Sequence, residues 1–251
     1  MVLCFVFVQS TASRTFSQNN ESGLILKLDS PKNIYKLGET IDFSFELENK
    51  TNEAVTLLDL FGTGTGFLHV EASKNGNEFI GCDDPRWGIM DVGAKTYINP
   101  NESVKSKSDV LWTLKTQDIA GFRFDEAGVY YIKANYTAHI EGKNSPINTE
   151  SLPIQITIEE PVGDDLKVWN IIKENGEFAY FIQKGHIHIP SYKAEERARF
   201  LREVEQILND YPNTFYADSL RQSMDKFKAS EIRSQEMMKK LKKQSQKQSN
   251  D

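Results

Sequence analysis

The residues with the spacing to do chemistry stand in "QKGHIHIP", residues 183–190, which carries two of the four histidines of a 251-residue chain. In an extended segment His186 and His188 share a face, so two imidazoles could meet one metal ion. A zinc centre needs a third ligand and usually a fourth, and the sequence offers no HExxH or CxxC pattern beside the pair. The competing reading is a polar connection between helices. Gly185 would end one helix, Pro190 would block its continuation, and Ile187 and Ile189 would point inward.

Two other stretches invite a chemical reading. "GTGTG" (62–66) lacks the Lys-Ser/Thr of a phosphate loop and leads into strand-like residues, so a loop between strands is expected. "CDDPRWG" (82–88) puts Asp83, Asp84, Arg86 and Trp87 in one loop. Such a set suits calcium or sugar contact, or simply a loop anchored by its Trp. No Ser-His-Asp, Cys-His or paired-carboxylate pattern stands out. No cofactor is expected.

Composition sets the frame for these loops. Hydrophobic residues make up 39% and charged residues 26%, as in a soluble globular chain. The net charge of −6 argues against nucleic acid as the main partner. No apolar run approaches the ~20 residues of a transmembrane helix. Val2 to Val8 form a short apolar run followed by Ser10-Thr11-Ala12, the layout of a secretion signal without its basic n-region. Removal of residues 1–12 would leave Cys82 alone, without an internal disulfide partner.

Positioning elements follow from periodicity. "TIDFSFELEN" (40–49) alternates Ile41, Phe43, Phe45 and Leu47 with polar residues, the pattern of a half-buried strand. Further strands are expected at 24–28, 54–60, 67–73, 78–81, 103–114, 128–138 and 152–158, with Asn75-Gly76 as a hairpin turn. Seven or eight strands without a long helix indicate a β-sandwich. After the acidic segment around 159–165 the period becomes helical. Helices are expected from 166, 177 and 193, and again after Tyr211-Pro212-Asn213-Thr214, with Asp164 or Asp165 capping the first.

"FDEAGVYYIKANY" (124–136) and "YKLGETIDFSFELENKTNEAVTL" (35–57) resemble the disulfide-free immunoglobulin-like domains of bacterial secreted and envelope proteins. The resemblance implies that Tyr130 bonds back to the corner before its strand and that Ile132 takes the place of the usual cysteine. "YPNTFYADSL" (211–220) resembles the helix-turn-helix junction of tetratricopeptide-like repeats, where Pro212 stops one helix and Ala217 lets the next pack closely.

The fold expectation is an all-β immunoglobulin-like sandwich plus a small C-terminal all-α helical domain. Residues 1–21 form a signal segment and leader, 22–160 the sandwich, 161–232 a helical hairpin or bundle, and 233–251 a basic disordered tail. Residues 226–251 hold eight basic and three acidic groups, a net of +5, which leaves −11 for the rest of the chain. That polarity suits either a solvated tail or contact with anionic polymers or phospholipid surfaces.

The expected function is non-enzymatic: a secreted or periplasmic binding or scaffold protein that recognises a protein, glycan or cell-envelope polymer. The sandwich-end loops holding Phe61, Phe67, Asp83, Asp84, Arg86 and Trp87 would be the binding face. The alternatives are an immunoglobulin-like protease inhibitor, which the resemblance allows, and a metal-dependent hydrolase built on His186 and His188. Oligomeric state is not legible.

Overall fold

A computed structural model describes residues 23–62, 67–82, 94–114 and 120–248. Two β-sheets lie face to face, and four helices close one end of the sandwich. The first sheet has the order β1 (Leu24–Asp29), β3 (Ile41–Asn49), β8 (Ser103–Val110). The second runs β2 (Ile34–Lys36), β13 (Ile154–Glu159), β11 (Gly128–Ala138), β5 (Leu68–Ser73), β6 (Ile80–Gly81). β12 (Ile147–Glu150) also pairs with β11. All of these pairings are antiparallel except β13 with β2. Two short antiparallel pairs complete the β layer: β4 (Val55–Leu57) with the sequence-distant β7 (Thr96–Ile98), and β9 (Trp112–Leu114) with β10 (Ala120–Phe122).

The inward rows are those of the period-two pattern. Ile41, Phe43, Phe45 and Leu47 of β3 are all buried, and so are Tyr130, Ile132, Ala134, Tyr136 and Ala138 of β11. The Tyr130 hydroxyl donates to the Glu126 carbonyl at 2.8 Å, the bond expected of this corner. Some strands are shorter than the pattern suggested, for local reasons. The run at 152–158 gains its ladder only from Ile154, because Pro153 has no N–H to donate. Ser151 bridges the gap through Ala134, donating its N–H to that carbonyl and accepting the Ala134 N–H on its hydroxyl.

The stretch 103–114 is split between β8 and β9 at Leu111. There the chain leaves its strand partner, and the freed backbone groups turn to a helix. Gln183 Oε1 accepts from the N–H groups of Leu111 (3.1 Å) and Trp112 (2.7 Å), while its Nε2 donates to the Asp109 carbonyl at 2.8 Å. Buried backbone groups need such partners.

The helices are α1 (Gly163–Ile172), α2 (Glu177–Lys184), α3 (Ala194–Asp210) and α4 (Phe215–Gln248). They bury Val168, Trp169, Phe178, Phe181, Phe200, Val204, Tyr216 and Leu220 in one hydrophobic cluster that also contains the inward rows of the sheets. The seam is aromatic: Trp169 meets Phe122 edge-on at 4.9 Å, and the Tyr216 hydroxyl donates to the Leu37 carbonyl at 2.5 Å. Gly38 makes that approach feasible. Its φ is +71°, and a Cβ there would lie 2.7 Å from the Trp169 ring.

Two local expectations change. Neither Asp164 nor Asp165 caps α1 with its side chain. Asp165 instead accepts the Phe215 N–H at 2.9 Å and the Lys36 ammonium at 2.7 Å, so it serves the start of α4. Thr214 caps the same helix locally through the Ala217 N–H at 3.2 Å. The basic segment expected to be a tail from residue 233 is helical as far as Gln248. It contains no Pro or Gly, and Met, Leu, Lys and Gln are strong helix formers.

Candidate functional site

The helices occupy the end where β3 begins and β13 finishes, since the Leu37 N–H donates to Glu159 O at 3.0 Å. The opposite end is where β11 finishes and the loop after β4 departs. Three chain segments are tied there. Leu57 bridges Ile140, the Leu58 N–H donates to the His139 carbonyl at 2.8 Å, and the Thr96 hydroxyl donates to Asp59 O at 2.8 Å. The Thr137 N–H donates to Phe67 O at 2.9 Å and fixes the far side of the same loop.

Asp59 is the polar centre of this end. It continues the inward alternation of Val55 and Leu57 and is 5% exposed. Its Oδ1 accepts the Tyr136 hydroxyl at 2.7 Å, and among the described residues its Oδ2 has no hydrogen-bond partner. Burial pushes the Asp59 carboxyl above its ordinary range, opposed by the Tyr136 bond and the nearby His139. Burial and the Asp59 carboxylate both push the Tyr136 hydroxyl up. The buried carboxyl holds Tyr136, and the Thr96 bond to the Asp59 carbonyl ties the loop beside it.

Two of the expected binding residues meet around this centre. Phe61 packs edge-on to Tyr136 at 5.2 Å, and Phe67 packs on His139 at 5.0 Å; both phenylalanines are half-buried. Asp83, Asp84, Arg86, Trp87 and residues 63–66 of the glycine-rich loop lie outside the described residues. Among the described residues at this end, three large apolar side chains are exposed: Leu58 at 47%, Leu60 at 46% and Tyr97 at 68%. Register places Thr56 opposite Tyr97, so Leu58, two residues on, shares the outward face with Tyr97. The Lys95–Glu141 ion pair, 2.5 Å, borders it. Leu58, Leu60 and Tyr97 were not singled out from sequence. The available signal was an acid, Asp59, at an inward position of an otherwise apolar strand.

Cys82 is buried, and its sulfur accepts from Arg123 Nε at 3.3 Å. His186 and His188 are exposed on the α2–α3 connection, while Ile187 and Ile189 pack against the core. His188 rests against Trp112 and Tyr180, at 5.9 and 5.1 Å. Among the described residues no group of three His, Cys, Asp or Glu side chains gathers to hold a metal ion, around this pair or elsewhere. Gly185 ends α2 with φ +66°, as its position before the histidines suggested. Glu177 anchors the connection: its buried carboxylate accepts the His188 N–H and bonds the Ile189 backbone. Burial pushes this carboxyl up to about 7, against the pull of those bonds and of Arg197.

No family model matches the chain, and no curated protein matches it. Solved structures that the chain resembles at low score include the CARDB domain of the PF1109 protein from Pyrococcus furiosus. It is 12% identical with a TM-score of 0.28, over 54% of this chain and 87% of that one. The C-terminal domain of wzt is 7% identical with a TM-score of 0.34, over 58% of this chain and 79% of that one. The sporulation control protein Spo0M of Bacillus subtilis is 9% identical with a TM-score of 0.30, over 65% of this chain and 54% of that one. Likeness of this degree carries no site or activity to this chain.

Proposed function

We propose that this is a non-enzymatic, secreted or periplasmic binding or scaffold protein. An immunoglobulin-like module recognises a protein or a glycan, and a tetratricopeptide-like helical hairpin braces it. The observation that carries the reading is the exposure of the apolar side chains Leu58, Leu60 and Tyr97 at one end of the sandwich. Apolar surface left in water costs roughly 25 cal/mol per Å². A patch of it on a braced sheet end suits a contact that removes it from water. Tyr97 adds a ring face and a hydroxyl, which serve a sugar or a peptide equally. The Tyr130 corner bond favours the immunoglobulin-like description of the module.

The contact would be surface recognition without bond making. The Asp59–Tyr136 pair fixes the loop, and the helices stiffen the far end. The test uses the full chain and a Leu58→Ser/Leu60→Ser/Tyr97→Ser variant, both immobilised against a glycan array and cell-envelope extract. A ligand held by the wild type should bind the variant about tenfold more weakly or worse, as when hot-spot contacts are truncated. Equal binding by the two proteins, or turnover of a captured molecule, would sink the proposal.

A further inference from the structure

α4 outlasts the body that it packs on. Its first half turns Tyr216, Leu220, Met224 and Phe227 toward the core. Every residue from Glu231 to Leu241 is exposed, and the helix continues to Gln248. At 1.5 Å per residue this projection is about 26 Å long. Ser230, Glu231 and Ser234 interrupt the core-facing stripe, and apolar residues then return to that side. Met237, Met238 and Leu241 are 63%, 56% and 48% exposed. At 3.6 residues per turn they fall within an arc of about 100° on the side that carries Leu220 and Phe227 further back. Residues 237–248 hold five lysines and no acid, against a net −11 for residues 1–225.

We propose that the projecting end of α4 docks on an anionic phospholipid bilayer surface. Apolar residues on one side of a basic helix are what interfacial binding uses: the side chains enter the headgroup boundary while lysines meet lipid phosphates. Charge selects this occupant over a second copy, because two such ends laid together would oppose +5 to +5. The three exposed apolar side chains favour a bilayer over a purely charged polymer, which would leave them in water. Laid along the surface, the projection of about 26 Å also outreaches the ~8 Å screening distance at physiological salt, so its lysines meet the lipid charge apart from the acidic body.

The test is co-sedimentation of the full chain with phosphatidylcholine vesicles, with and without about 30% phosphatidylglycerol. Two variants accompany it, Met237→Ser/Met238→Ser/Leu241→Ser and Lys239→Glu/Lys240→Glu. Met237, Met238 and Leu241 are exposed, and Lys239 and Lys240 are too, so both variants should keep the wild-type melting curve. Binding to anionic vesicles alone, reduced about tenfold or more in each variant and by about 0.5 M salt, is the expected result. Equal binding to both vesicle types overturns the proposal. So does unchanged binding by the serine variant, which would mean attraction to phosphate charge only. A wild-type dimer that the serine variant abolishes would show a second copy as the occupant instead.

Discussion

Gln183 Oε1 lies 2.7 Å from the backbone nitrogen of Trp112, joining the last turn of α2 to the break between β8 and β9. The same oxygen takes the Leu111 N–H, so one side chain replaces a missing strand partner at two consecutive residues. Gln183→Leu keeps most of the volume and removes the bonds. Each orphaned buried N–H should cost about 1–3 kcal/mol. Urea unfolding followed by tryptophan fluorescence checks this; a loss under about 0.5 kcal/mol would contradict the role assigned to the bond.

Asp165 joins two other distant pieces, the start of α4 and Lys36 of β2. Asp165→Ala should lose about 1–2 kcal/mol, the usual cost of a helix cap. Lys36→Ala should lose less, about 0–1 kcal/mol, because that ammonium is 43% exposed and its pair is screened. Thermal melts of the two variants rank the contributions, and the reverse order would remove the capping role.

Glu177 makes stability depend on pH. Its folded carboxyl titrates near 7 against an ordinary 4.5, so the folded chain holds that proton more tightly than the unfolded one. The contribution is complete below about 4.5 and is lost as pH rises through about 7. At most it amounts to roughly 3 kcal/mol. Glu177→Gln retains an acceptor for the His188 N–H and removes the titration. Between pH 5 and pH 8 the variant should change less in unfolding free energy than the wild type. Parallel pH profiles would refute this.

Tyr136→Phe leaves the Asp59 carboxyl with no partner on either oxygen and should cost about 1–3 kcal/mol. Burial already raises this carboxyl, so its contribution to stability falls as pH rises above the ordinary Asp range. Adding Asp59→Asn should recover part of the loss at neutral pH, because no charge is then buried. A double-mutant cycle by denaturant unfolding at pH 7 measures the coupling. Additive losses would mean that the hydroxyl and carboxyl do not depend on each other.

The order of residues alone sets the rows that face the core. Ile41, Phe43, Phe45 and Leu47 alternate because successive strand residues point to opposite sides, and that period is visible over nine residues. It also determined the helix stops at Gly185 and Tyr211-Pro212, and the outward placing of His186 and His188, since those depend on neighbours in the chain. Asp165 at α4, Gln183 at β9, and Leu58 and Leu60 beside Tyr97 are another matter. These come from packing in three dimensions, because each joins segments separated by dozens of residues, with partners that leave no local signature. An acid before a helix is a good cap for that helix on propensity alone. Here α1 begins at Gly163 and takes Asp165 into its first turn, while packing sets the part-buried Phe215 N–H 2.9 Å from that carboxylate, a charge-assisted bond.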